Sequence, residues 1–522
     1  MLVVELSRWQ FAFTALFHFI FVPLTLGLTW ILVAMELTYV ITKKQVYKDM
    51  TRFWGKLLAI NFAVGVISGL TMEFEFGLNW AYFSRMIGGS FGPVLAIEGI
   101  TAFMLEATMF GLFFFSWDKL SRSAHFVVTL FMAFGASLSI VNILAANSWM
   151  QHPVSTSFDY RNMTLQLHSI AALYMQNLSQ LRIGHVAFAG FLVSSIFVMG
   201  ISAYYLIKGQ DVAFAKRSFA IAVGFGFICS LMVVFFGDQN GLEVAQDEPE
   251  KMAAIEAQWQ TQPAPAAWTM IAWPNQQKEK NEFAVNIPYA LSLIATHSLT
   301  GTVEGIDPII KKYQERVQKG IVAYDALHKI WAKTATPTDI QNYQANEKDL
   351  GFAYLLLPYT THPSQATSAE ILKAAKSGIP NVPTAFWSFR IMIGIWGILF
   401  FLILFGFYYA KRNTLEQHPF FLRCCLYAIP LPYIAAESGW MLAEVGRQPW
   451  AIHNILPVFM GTSSLDAASL ITSLVLFAVF YGTLLTVELI LMFKYAKLGP
   501  SSLGTGRYYF ENGDRVSGIG NQ

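Results

Sequence analysis

Nine apolar runs, at residues 9–41, 54–80, 93–117, 124–150, 182–207, 218–237, 384–410, 422–445 and 466–494, are each long enough to cross a bilayer as a helix. Of the 522 residues, 55% are hydrophobic and only 13% charged, against roughly 25% charged in a typical soluble domain. The expectation is an all-α integral membrane protein with about nine transmembrane helices. The 35 basic and 33 acidic residues nearly balance, so net charge gives no reason to invoke nucleic acid. Cys229, Cys424 and Cys425 lie in or beside apolar runs and form no C-x-x-C pair, which argues against a disulfide framework.

The charges between the runs set an orientation. Connections after runs one, three, five and seven carry Lys43, Lys44, Lys48 and Arg52, then Lys119 and Arg122, then Lys208, Lys216 and Arg217, then Lys411 and Arg412. The alternate connections are poor in Lys and Arg for their size, with Arg85 in the second and Arg447 in the eighth. The positive-inside rule therefore puts the N-terminus outside and the C-terminus in the cytoplasm. The first run follows Glu5 and Arg8 without the short apolar core and A-x-A site of a cleaved signal, and reads as a retained span.

Four regions follow: transmembrane helices one to six in 1–239, a large extracytoplasmic loop in 240–382 between helices six and seven, helices seven to nine in 383–494, and a cytoplasmic tail in 495–522 with Lys497, Arg507 and Arg515. The loop holds 12 basic and 15 acidic residues. Its opening, Lys251 to Trp268, reads as a helical turn or two that breaks at Pro263 and Pro265. The stretch around Lys311, Lys312, Tyr313, Arg316 and Tyr324 reads as solvated helix. A loop of this length implies function. No internal repeat, phosphate-cradling glycine loop or H-E-x-x-H motif is present, which argues against nucleotide-driven transport and zinc hydrolysis.

Ionisable and ligand-capable side chains inside spans cost several kcal/mol unless partnered, so each is a functional candidate. His18 lies about a third of the way into the first run, His185 opens the fifth, and Met392 with Arg390 opens the seventh. A hydrogen-bonded imidazole is the structural alternative for each histidine. A His/Met pair is also an axial ligand set for low-spin haem, and a nearby arginine suits a haem propionate. Glu98 and Glu106 in the third run would lie about 12 Å apart along an ideal helix and about 80° around it, as successive stations of one proton path. Ser139 and Asn142 in the fourth run supply polar company. In the loop, Lys251 and Glu256 beside Trp259 and Trp268 read either as a solvated face or as a site for an amphipathic quinol, deprotonated by a carboxylate and stacked on an aromatic ring.

The densest load sits in E-S-G-W-M-L-A-E-V-G-R-Q-P-W, Glu437 to Trp450. Glu437, Trp440 and Glu444 share a helix face by spacing, and Arg447 follows where Gly446 and Gln448-Pro449 should end the helix.

At these residues the chain resembles subunit I of the cytochrome bd family of quinol oxidases, over essentially its whole length. The stretches that carry the likeness are G-L-T-M-E-F-E-F-G-L-N-W from Gly69, A-I-E-G from Ala96, K-M-A-A-I-E-A-Q-W-Q-T-Q-P-A-P-A from Lys251 and G-R-Q-P-W from Gly446. Glu75 and Leu78 depart from it, standing where Gln and Thr are expected. The resemblance implies three haems: a low-spin haem b on His185 and Met392, and a high-spin haem b and a haem d near His18 and Glu444. It implies propionate anchoring by Arg390 and Arg447, a place in the cofactor pocket for Trp440, proton delivery through Glu98, Glu106 and Ser139, and quinol oxidation at Lys251 and Glu256. Ubiquinol or menaquinol would be oxidised outside and dioxygen reduced to water, building a proton-motive force without pumping. The implied setting is the bacterial inner membrane. A second large transmembrane subunit is the implied partner, with room for one or more small single-helix subunits. The rival from another class is a proton-coupled secondary transporter using Glu98 and Glu106.

Overall fold

The computed structural model describes residues 2–508; the tail residue Arg515 lies outside them. Among the described residues, nine helices are long and apolar enough to cross a membrane. In chain order they begin with α1 (Leu2–Thr42), α2 (Gln45–Leu78), α3 (Ala81–Phe115), α4 (Arg122–Gln151), α5 (Asn177–Lys208) and α6 (Val212–Asp247). After the loop come α9 (Val382–Arg412), the broken pair α10 (Pro419–Tyr427) and α11 (Leu431–Val445), and α12 (Ala467–Leu498). Most helices overrun their apolar runs by several residues, because polar flanking turns continue the hydrogen-bond ladder past the lipid-matched length. The eighth span breaks at Ala428, Ile429 and Pro430, where proline lacks the N–H that would continue the ladder.

Two other spans carry interruptions. Pro23 removes one N–H inside α1, and neighbouring helices bond the backbone around it: Asn61 donates to the Phe21 carbonyl at 2.8 Å and Ser194 to that of Leu24 at 3.0 Å. In α3, Glu98–Phe103 form a π-helical turn, so the ideal-helix angle between Glu98 and Glu106 does not hold. Such turns widen a helix locally and recur at functional sites.

The segment between α6 and α9 is folded. Its first helix, α7 (Pro249–Ile255), stops well short of Pro263. The chain turns instead at Ala257, whose φ of 47° is left-handed, a conformation that costs a non-glycine residue energy and needs support. Asn281 gives that support, donating to the Ala257 carbonyl at 3.0 Å and accepting from Trp259 Nε1 at 3.0 Å. Asn281 belongs to a hairpin, Trp268–Asn275 with Lys280–Ile287, that helical patterning did not anticipate. The expected helix exists as α8 (Ile306–Trp331) but is only half solvated. Ile309, Ile310, Tyr313 and Val317 are buried along one face, and Tyr313 packs edge-on against Phe352 at 4.9 Å. Two smaller hairpins, Thr156–Asp159 with Thr164–Leu167 and Trp450–Ile452 with Leu456–Pro457, also flank the helices.

One apolar cluster ties the loop to the bundle, joining Met252, Ala253 and Ile255 of α7 to Ala385 and Phe386 of α9 and to Trp450. A second fills the opposite end between α1, α2, α5 and α6. There α1 and α5 cross closely, because a Cβ on Gly27 would lie 2.5 Å from the Gly190 carbonyl oxygen and 2.8 Å from Phe191 Cα. Gly27→Val should therefore force the helices apart and cost about 1–3 kcal/mol, read as a lowered Tm of the detergent-solubilised protein. An unchanged Tm would show that the crossing tolerates a larger residue.

Candidate functional site

Three ligand-capable side chains each back onto a glycine of a neighbouring helix. A Cβ at Gly69 would lie 3.0 Å from His18 Cε1, one at Gly237 would lie 3.0 Å from His185 Cε1, and one at Gly439 would lie 3.0 Å from Met392 Sδ. Both imidazoles are held through Nδ1. His185 Nδ1 lies 3.0 Å from the Val233 carbonyl, so it carries the proton and donates. His18 Nδ1 lies 3.0 Å from Ser68 Oγ, whose own hydroxyl donates to the Val64 carbonyl at 2.9 Å, so Ser68 accepts from His18. In each ring Nε2 keeps its lone pair, the arrangement found where a histidine binds a metal and its other nitrogen is fixed by an outer acceptor. Trp440 stacks on Phe19, next to His18, with centroids 5.3 Å apart, and packs against the same buried cluster (Leu26, Ala136, Ile140 and Leu144) as Ile183 and Val186, which flank His185 in α5. These contacts draw α1, α5, α9 and α11 around one region.

Glu444 is engaged at both oxygens. Asn147 Nδ2 donates to Oε1 at 2.8 Å, and Arg447 forms an ion pair with Oε2. Arg447 also donates to the Ala451 carbonyl, while its Nε is buried without a partner. Glu437, one turn before Trp440 on the same face, has both carboxylate oxygens buried and unpaired. It helps to line a cavity of about 550 Å³ between α1 and α12, with Gln10, Thr14, Phe17, Met441 and Tyr481. Glu75, the departure in the second span, is fully buried and accepts from Thr14 Oγ1 at 2.5 Å. In α3, the π-helical turn brings Glu98 to Ser139, whose hydroxyl donates to Oε1 at 2.7 Å. Glu106 is buried with Oε1 unpartnered.

Lys251 and Glu256, read together from the sequence, point to different neighbours. Glu256 accepts from Arg390 Nη2 at 2.7 Å, and Arg390 also donates to the carbonyls of Ile255 and Thr269. The guanidinium lies over the Phe386 ring at 3.9 Å and nearer than 6 Å to that of Trp268. Arg390 is thus committed to the loop, with only Nε unpartnered. Burial pushes the Glu256 carboxyl above its ordinary pKa, against the opposing pull of Arg390.

Lys251 turns the other way. Its Nζ donates to Gln151 Oε1 at 2.6 Å and pairs with Glu248. Gln151 Nε2 donates to Asn147 Oδ1 at 3.0 Å, and Asn147 reaches Glu444. Burial depresses the Lys251 ammonium, with Glu248 opposing. Burial likewise disfavours the charge on Glu248, but Lys251, Arg182 and His453 outweigh it and hold that carboxyl down at about 2. Sequence reading missed Glu248, Gln151 and Asn147. The one available signal was the i, i+3 spacing of Glu248 and Lys251.

A sequence model described as "Cytochrome bd terminal oxidase subunit I" matches residues 6–500. The "Cytochrome bd-II ubiquinol oxidase subunit 1" of Escherichia coli is 44% identical over 501 residues, covering 96% of this chain and 98% of that protein. The "Cytochrome bd ubiquinol oxidase subunit 1" of Bacillus subtilis is 33% identical, covering 95% and 93%. Among solved structures, the bd oxidase from Geobacillus thermodenitrificans shares the fold with a TM-score of 0.75 at 21% identity, covering 95% of this chain and 98% of that one.

Arg390→Gln leaves Glu256 buried without its counter-charge. Breaking one side of a buried pair typically costs about 3–5 kcal/mol, so the variant should melt earlier and its 240–382 segment should be cut faster by protease. Wild-type melting and cleavage would show that the pair does not fasten the loop.

Proposed function

Because the chain belongs to the cytochrome bd terminal oxidase subunit I family, we propose that it oxidises quinol where the loop meets the bundle and passes the electrons to dioxygen, which is reduced to water. Family membership makes it a subunit of a terminal quinol oxidase, a quinol:dioxygen oxidoreductase of the respiratory chain. The observation that carries the reading at this chain's own residues is the pair of imidazoles fixed through Nδ1 with Nε2 left open.

The donors fit haem. They come singly from separate helices, as axial ligands do, and buried guanidinium nitrogens of Arg390 and Arg447 lack partners that a propionate would supply. His185 and Met392 would hold a low-spin haem b. His18 and Glu444 would between them hold a high-spin haem b and a haem d, with Trp440 packed beside them and Arg447 at a propionate. Bound haem iron supplies the one-electron chemistry that joins quinol oxidation to dioxygen reduction.

The protein's own groups handle the protons. Glu256, held in place by Arg390 beside Trp268, takes the proton from a quinol hydroxyl. Lys251 supports this oxidation from behind as a positioning residue, since Glu248 and Gln151 occupy its ammonium. Glu106 and Glu98, with Ser139 between helices, hold and pass protons toward the site of oxygen reduction. With the loop outside and the C-terminus in the cytoplasm of a bacterial inner membrane, quinol protons leave outside while those for water come from within. Each elementary charge so moved stores about 2.3 kcal/mol per 100 mV. A second large transmembrane subunit completes the assembly, with room for small single-helix subunits, and ubiquinol or menaquinol is the electron donor.

Two experiments test this. Because burial raises the Glu256 carboxyl, quinol oxidation should fall with decreasing pH along a limb lying above the ordinary carboxylate range. Glu256→Gln should slow quinol oxidation by about 10²-fold or more while sparing dioxygen reduction from an artificial donor; equal loss of both would remove Glu256 from the quinol site. His185→Ala should erase the low-spin haem spectrum and leave the other haems in place, and an unaltered spectrum would refute the ligand assignment.

A further inference from the structure

One buried cation stands outside every role above. Arg182 lies in α5 three residues before His185, on the same helix face. It is 7% exposed. Its Nη2 donates to Glu248 Oε1 at 3.1 Å, whereas Nη1 is buried with no partner. A buried donor left unpaired costs about 1–3 kcal/mol, so this nitrogen calls for an acceptor. Glu248 holds Arg182 and Lys251 together from behind. The charges of Glu444 and Arg447 are near enough to act on Arg182.

A pattern points to what the acceptor is. Arg182 precedes His185 at the end of α5 that adjoins the close of α6 and the loop. Arg390 precedes Met392 just after α9 leaves the loop, and Arg447 follows Glu444 where α11 returns to that end. Three of the four donors thus carry an arginine on the loop side, within three residues; His18 does not. Two of these arginines, Arg390 and Arg447, are already committed to carboxylates and carbonyls and offer only Nε, whereas Arg182 offers a terminal nitrogen.

We propose that Arg182 is an anion-binding residue that donates Nη1 to a haem carboxylate at the loop end of the bundle, with Glu248 fixing its orientation. This rests on the haem-protein reading above. Glu248 takes one terminal nitrogen of the planar guanidinium, and the other is aimed by the same bond. The residue positions and compensates charge; it does not react.

The test uses the assembled oxidase purified from a haem-competent host. Removing a positive charge beside a haem favours the ferric form, so Arg182→Gln should lower the midpoint potential of at least one haem, by about tenfold in the one-electron equilibrium, ~59 mV. Arg182→Lys keeps the charge and should restore the potential, yet it loses the planar donor and should shift the haem propionate bands in the resonance Raman spectrum. A residue that merely clamps α7 would lower stability in both variants and move neither readout. Full haem content with unchanged midpoints in Arg182→Gln would overturn the proposal. Should that variant not accumulate, unchanged propionate bands in Arg182→Lys would do the same. Absence of haem from the wild-type protein would instead sink the functional reading.

Discussion

Charge buried where the loop meets the bundle must find partners, and the rest of the structure is arranged to supply them. The Glu256–Arg390 and Glu248–Lys251 pairs are almost fully buried, and Glu444–Arg447 lies close by and only partly exposed. Pairs of this kind add little net stability over apolar packing, because desolvation offsets most of the attraction, but losing one partner is costly. Their effect is to fix register. The loop cannot shift on the helices without stranding a charge, so Glu256 and the spans that carry His185, Met392 and Glu444 are held as one unit.

That arrangement divides the short helix α7 between two duties. Its end, at Glu256, faces Arg390 and the aromatic rings of the loop, while Lys251 faces inward through Gln151 and Asn147 to Glu444. The inward chain runs through two amides. Neutral amides relay protons poorly but orient dipoles well, and here each donates toward Glu444. The chain therefore suits electrostatic support of that carboxylate better than proton exit. The groups proposed to carry protons inward lie elsewhere: Glu98, within the widened turn of α3, bonds Ser139, and Glu106 follows just after that turn.

Much of this was legible in the sequence. Run lengths revealed all nine spans, because in lipid the apolar stretch and the helix are nearly the same object. His18, His185, Met392 and Glu444 could be singled out as candidates because polar or polarisable groups stand out in an apolar helix. The loop was harder. Its helix α7 ended at the left-handed Ala257, stabilised by Asn281 from a hairpin 24 residues on, and no local pattern announces such a contact. The separation of Lys251 from Glu256 was hidden for the same reason, since partners distant in the chain set their directions. The π-helical turn at Glu98 was equally silent, having no distinctive residue signature.

The central claim is that these scattered donors make one haem protein. Haem quantification and a reduced-minus-oxidised visible spectrum of the purified oxidase test it most directly. The account predicts two haems b, one low-spin and one high-spin, and one haem d per copy of this chain. A protein prepared from a haem-competent host that carries no haem, or a single one, would contradict it.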